Sequence, residues 1–152
     1  MQISNLKPKG KWPLLLAVPE ESLATEAARQ VLPDRYSRAD AVVNIQNSML
    51  LLAAFLQGRK DLLPWALEDR IHQPYRAPLC PLLAPLQKLA GTRGILGVAL
   101  SGAGPSVLVF LDPKSSAAQS RKNVRHHLKQ HGLSPELIPT GITALGARQR
   151  IL

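Results

Sequence analysis

Apolar and polar positions alternate along this chain in a way that predicts a strand, several helices, two neighbouring strands, a helix and a last strand. WPLLLAVP, Trp12 to Pro19, is a short β-prone run closed by proline. ESLATEAARQVLP reads as a helix of about two and a half turns stopped at Pro33. Ser37 and Asp40 then form an S-x-x-D capping signature ahead of AVVNIQNSMLLLAAFLQG. Val42, Ile45, Met49, Leu52 and Leu56 share one face of that helix, and Gly58 supplies its stop. KDLLPWALED is a further short helix with Pro64 in its first turn, where proline is tolerated.

HQPYRAPLCP reads as a loop, and LLAPLQKLAG as a helix ending on Gly91. ILGVALSG and SVLVFLD follow as an antiparallel pair of strands around a glycine turn. Ser115 to Gln130 predicts a basic amphipathic helix ending near Gly132, and ITALGARQRI alternates as a final strand. Helices gathered on one face of a mostly antiparallel sheet give an α+β, ferredoxin-like two-layer sandwich.

Composition narrows the class. At 152 residues the chain fits one domain, spanning 1–152. With 4% aromatics, its core falls to Leu, Ala and Val. The lone Cys80 cannot form an internal disulfide, and no Cys/His cluster suggests zinc. The longest apolar runs, Leu14 to Val18 and Met49 to Leu56, are too short to span a bilayer. The expectation is a cytoplasmic protein without a membrane partner. Net charge is +9, with seven Lys/Arg and one acid, Glu136, beyond Asp112. That balance admits nucleic acid, an acidic partner, or a solvated basic face.

Candidate chemistry centres on the turn LSGAGPSVLVFLD, Leu100 to Asp112. It has the small, glycine-punctuated look of a phosphate loop, yet it enters a strand rather than a helix N-terminus, and no Walker-type lysine follows. Thr25 and Arg29, i and i+4, share a helical face. Asp69 and His72 precede Gln73, Pro74, Tyr75 and Arg76; a histidine beside an acid admits acid/base work, but fixing the loop that carries Arg76 is the simpler role. His127 and His131 are spaced for metal but lack a third ligand nearby in sequence.

Four stretches together, VPEESLATEAARQVLP, SRADAVVNIQNSMLLLAAFLQG, EDRIHQPYR and ALSGAGPSVLVF, resemble the C-terminal half of the homoserine kinase family of GHMP small-molecule kinases. The resemblance runs from about Trp12 to Arg148. It implies that Thr25, Arg29 and Arg76 surround L-homoserine, with both arginines on its carboxylate, and that Ser101, Gly102, Ala103 and Gly104 line the transfer site as a supporting wall. No residue here is implied to be catalytic, and His72 is not implied as a base. Ala24 stands where the family often has serine.

One departure matters more than any substitution. The family's ATP and Mg²⁺ site is built mainly by an N-terminal half around a G-L-G-S-S-A loop, and nothing in this sequence reads that way. The resemblance therefore implies half a kinase, with the missing N-terminal half as partner, no nucleotide or metal bound by this chain alone, and a homodimer as a further option. Two rivals stand beside it. A small α+β sandwich can bind an amino acid without chemistry, as a regulatory module. An RNA-binding sandwich would display aromatics on its central strands, where VALSG and VLVFLD offer one phenylalanine.

Overall fold

The computed structural model describes residues 6–143. Its framework is a four-stranded antiparallel sheet of β1 (Pro13–Val18), β2 (Ile95–Leu100), β3 (Val107–Leu111) and β4 (Glu136–Gly141), in the order β2-β3-β1-β4. The helices are α1 (Thr25–Gln30), α2 (Arg38–Gln57), α3 (Leu63–Ala66), α4 (Gln73–Arg76), α5 (Leu83–Gln87) and α6 (Ala117–Gln130). This is the α+β class and strand order of a ferredoxin-like sandwich.

Period-two alternation sorts the strand side chains. Leu15, Ala17, Val107, Val109, Leu111 and Leu137 face α5 and α6, where Leu83, Leu86, Val124 and Leu128 close a core. Leu14, Leu108 and Phe110 face the other way and meet Phe55 and Leu51 of α2 and Leu63 of α3. The expected helical layer over one face is thus present as α5 and α6; α2 and α3 in addition cover part of the second face. Trp12 stands edge-on to Phe55 at 4.8 Å between ring centres, which locks the start of β1 to the end of α2.

The caps of α2 follow the sequence. Ser37 Oγ accepts from the Asp40 amide at 3.0 Å, and Gly58 ends the helix at φ 73°, a left-handed conformation natural to glycine. Its apolar stripe does not enter the core, however: Val42, Ile45, Met49 and Leu56 are exposed, Ile45 to 64%. Among the described residues α2 is long and apolar enough to cross a membrane by length and composition. In the fold it docks through Leu51, Ala54 and Phe55 near its C-terminal end, and most of the rest is exposed. Its polar side is occupied, because Asn47 Nδ2 donates to the Glu68 carbonyl and Asn44 Oδ1 accepts from the Arg70 amide, each at 3.0 Å.

Three sequence expectations need correction. The first helix covers Thr25–Gln30 alone; Ala24 precedes it with no side-chain cap, so the turns before it do not close. HQPYRAPL is not a plain loop but α4 followed by a 3-10 turn over Ala77–Leu79, each begun with proline near its first position. The last described strand is Glu136–Gly141, earlier than expected; Pro139 is admitted because β4 is an edge. Most of ITALGARQRI lies outside the described residues.

Candidate functional site

The site is built at the end of the sheet where β2 turns into β3. Asp69 organises the approach. Its carboxylate accepts from the amides of Ile71 (2.8 Å), His72 (3.1 Å) and Gln73 (2.8 Å), gathering the free N–H groups at the start of α4. His72 Nδ1 stands 3.8 Å from Asp69 Oδ2, on a ring that is half exposed. Gln73 is buried and spans two elements: Nε2 donates to the Leu67 carbonyl and Oε1 accepts from the Leu100 amide, both at 3.2 Å. The last residue of β2 is thereby pinned to α4.

Arg76, at the end of α4, is 8% exposed. Its Nε donates to the Ala28 carbonyl of α1 at 2.9 Å, and its Nη1 reaches the Gly102 carbonyl at 3.4 Å. One guanidinium therefore ties α1, α4 and the glycine turn together, which its planar fork of donors suits and an ammonium would not.

The turn itself is shaped by two glycines with positive φ, Gly102 at 61° and Gly104 at 88°. The Ser101 amide donates to the Ser106 carbonyl at 2.9 Å, and the Gly104 amide to the Ser101 carbonyl at 3.1 Å. A Cβ on Gly104 would fall 2.7 Å from Cys80 Sγ, whereas one on Gly102 would meet nothing within 4 Å. Burial pushes the Cys80 thiol up, with Arg76 pulling the other way. Cys80 is thus a packing wedge under the turn.

Asn44 and Ser48 of α2, together with His72, Arg76 and Gly102, bound a hollow of about 420 Å³. Sequence reasoning missed Asn44, Ser48 and Gln73. A signal existed: Asn44, Asn47 and Ser48 are polar residues at i, i+3 and i+4 inside an apolar helix. Of the expected residues, the structure brings Arg76 and Gly102 together. Thr25 and Arg29 are exposed on α1, which touches Arg76 through the Ala28 backbone, and their side chains do not line the hollow.

The fit to ATP and Mg²⁺ can be judged from the residues present. The turn opens into β3, so no run of helix-terminal amides stands behind it. Among the described residues no three His, Cys, Asp or Glu side chains could hold one ion. On α6, His127 Nε2 lies 3.0 Å from the Pro85 carbonyl and His131 Nδ1 2.9 Å from the His127 carbonyl, so both rings are engaged with backbone.

The family described as "GHMP kinases C terminal" matches residues 51–130. A homoserine kinase of Deinococcus radiodurans is 43% identical over 142 residues, covering 93% of this chain and 46% of that protein. One from Solibacter usitatus is 52% identical over 99 residues, covering 65% and 32%. The chain spans about half the length of the first of these, or less in others. In fold it is similar to a crystal structure of homoserine kinase from Cytophaga hutchinsonii, with TM-score 0.75 at 22% identity over 90% of this chain and 46% of that one. It is also similar to phosphomevalonate kinase of Streptococcus pneumoniae, with TM-score 0.66 at 19% identity over 93% and 44%. The chain belongs to the family described as GHMP kinases C terminal, and the relatives quoted above are homoserine kinases that it covers by half their length or less.

Proposed function

We propose that this chain forms the substrate-holding side of an ATP-dependent homoserine kinase, which passes the γ-phosphate of ATP to the homoserine hydroxyl and so supplies threonine synthesis. The observation that carries the reading is Arg76: one buried guanidinium joins α1, which bears Thr25 and Arg29, to the glycine turn. The identity of 43% across nearly the whole chain to a homoserine kinase supports the same substrate class.

In this reading Arg29 grips the substrate carboxylate, Arg76 adds charge from below while holding the floor, and Thr25 offers a polar contact one turn away. Ser101, Gly102, Ala103 and Gly104 form the wall. The rate of phosphoryl transfer rests on positioning and charge stabilisation. The nucleotide and its magnesium, when bound, supply the phosphoryl group, and a kinase N-terminal half holds them. The exposed apolar stripe of α2 is the surface that half would cover. The setting is the cytoplasm. In the complete kinase, Arg29→Lys and Arg76→Lys should each raise the KM for homoserine far above any change for ATP, by about 1–3 kcal/mol. Unchanged homoserine kinetics in both variants would remove these residues from the site.

A second reading is favoured by one observation: Arg76 already spends donors on two carbonyls, so its role fits a preformed amino-acid pocket without chemistry. Calorimetry with homoserine, with and without ATP, separates a regulatory module from a kinase, because only the kinase couples the two ligands.

A further inference from the structure

Gln73 is a buried polar side chain to which the reading above gives no part. It stands three residues before Arg76 in α4, so the two side chains lie next to each other on that short helix. Its Oε1 accepts from the Leu100 amide and its Nε2 donates to the Leu67 carbonyl, across 27 and 6 residues of sequence. β2 is an edge of the sheet and pairs with β3 on one side only. Gln73 therefore answers the Leu100 amide where a further strand would otherwise be needed. Leucine or methionine would fill the same volume without asking for partners, and a buried amide offsets little more than its own desolvation. What its two directional bonds add is position.

The position concerned is that of the glycine turn. Leu100 ends β2, and Gly102 lies two residues on. Gln73 holds the amide that enters the turn, while Arg76 Nη1 leans on the Gly102 carbonyl at 3.4 Å. Packing does not fix that end, because a Cβ on Gly102 would meet nothing within 4 Å. Gln73, Arg76, Leu100 and Gly102 all border the hollow of about 420 Å³.

We propose that Gln73 is a positioning residue for the phosphoryl transfer: through the Leu100 amide it sets the height of the glycine turn over the hollow that Arg76 floors, and so the fit of the amino-acid substrate between them. The inference rests on the kinase reading above and extends it to a residue that acts through the turn. Its effect falls on the amino acid and not on ATP, since the turn is a wall of the hollow that holds the amino acid.

Two measurements test this. Hydrogen exchange, read by NMR on the 152-residue chain, follows the Leu100 amide. Gln73→Met fills the volume without an acceptor, and should speed exchange at Leu100 by a larger factor than at Val109, in the middle of β3, which reads the whole fold. Steady-state kinetics are then taken on this chain joined to the N-terminal portion of the Deinococcus radiodurans homoserine kinase. Gln73→Met should raise the homoserine KM about fivefold or more, the scale of one lost hydrogen bond, and leave the ATP KM within about twofold. A merely structural loss would lower the active fraction, and so the apparent kcat, without moving KM. Gln73→Glu keeps an acceptor for the Leu100 amide and should hold the homoserine KM within about twofold of the parent. Gln73→Asn, one methylene too short to span both partners, should behave as Gln73→Met does and carries the test should that variant fail to fold. Val124→Ala, in the core beneath α6, should lower stability and move neither KM. A joined parent that leaves homoserine unphosphorylated would sink the kinase reading and this inference with it. With an active parent, an unchanged homoserine KM in the Met and Asn variants, an ATP KM rising in step, a Glu variant as impaired as the Met one, or Leu100 exchange changing no more than that of Val109 would each overturn this inference alone.

Discussion

Arg76 Nε donates to the carbonyl oxygen of Ala28 at 2.9 Å, across 48 residues of sequence, with both groups buried. That single bond sets α1 against α4, and the same guanidinium leans on the Gly102 carbonyl. The two arginines of the candidate site therefore differ in kind. Arg76 is built into the fold, whereas Arg29 is exposed on α1.

Stability should separate them. Arg76→Lys removes planar donors from a buried position and should cost about 1.5–3 kcal/mol, the range for hydrogen bonds involving a charged group. Arg29→Lys should stay within about 0.5 kcal/mol of the parent, as exposed substitutions do. Urea denaturation of both variants is the check; equal losses would mean that Arg76 is not the clamp.

The glycine turn gives a paired expectation. Gly102→Ala meets open space and should cost about 1–2 kcal/mol, from its left-handed backbone alone. Gly104→Ala carries that cost and also drives a methyl against Cys80 Sγ, so it should be worse. Cys80→Ala should recover part of the loss in the Gly104→Ala background. A double-mutant cycle with no coupling would separate the two residues.

Cys80 also predicts a pH dependence. Burial raises the folded-state pKa of its thiol above the unfolded value, so the unfolded chain ionises first as pH rises. The contribution is fully present below the unfolded pKa and falls as pH climbs through the alkaline range. Cys80→Ala should flatten the decline in stability above about pH 8.5. Ellman's reagent should find the thiol unreactive at neutral pH until the chain unfolds.

The exposed stripe of α2 should make the isolated chain self-associate, since contiguous apolar surface favours contact. Ile45→Gln with Met49→Gln should shift sedimentation toward monomer while leaving the melting temperature nearly unchanged. A parent chain that is monomeric at high concentration would contradict the assignment of this face as one that another domain covers.

Much of this was legible in the residues, because local signals and tertiary demands agreed there. Ser37, Asp40 and Gly58 mark both ends of α2 through caps that operate as their chemistry suggests. Val107, Val109 and Leu111 alternate with Leu108 and Phe110, and the sheet uses both sets. Legibility failed where context overrode local preference. Pro139 argues against a strand until β4 is known to be an edge. The apolar face of α2 reads as core by pattern, yet it looks outward in this chain, because the pattern does not state what covers it. Arg76 was legible as a candidate, but its bond to the Ala28 backbone was not, since a carbonyl 48 residues away leaves no mark in side-chain spacing. Asn44 and Ser48 signalled a polar side to α2 without indicating what it would border.

The most direct test joins this chain to the N-terminal portion of the Deinococcus radiodurans homoserine kinase, the region of that protein outside the shared 46%. ADP release is then measured with homoserine and Mg-ATP. The account predicts turnover above background from the joined protein, loss of homoserine affinity in its Arg29→Lys form, and none from the 152-residue chain alone. Turnover by the chain alone, or a joined protein that folds and binds ATP yet leaves homoserine unphosphorylated, would contradict it.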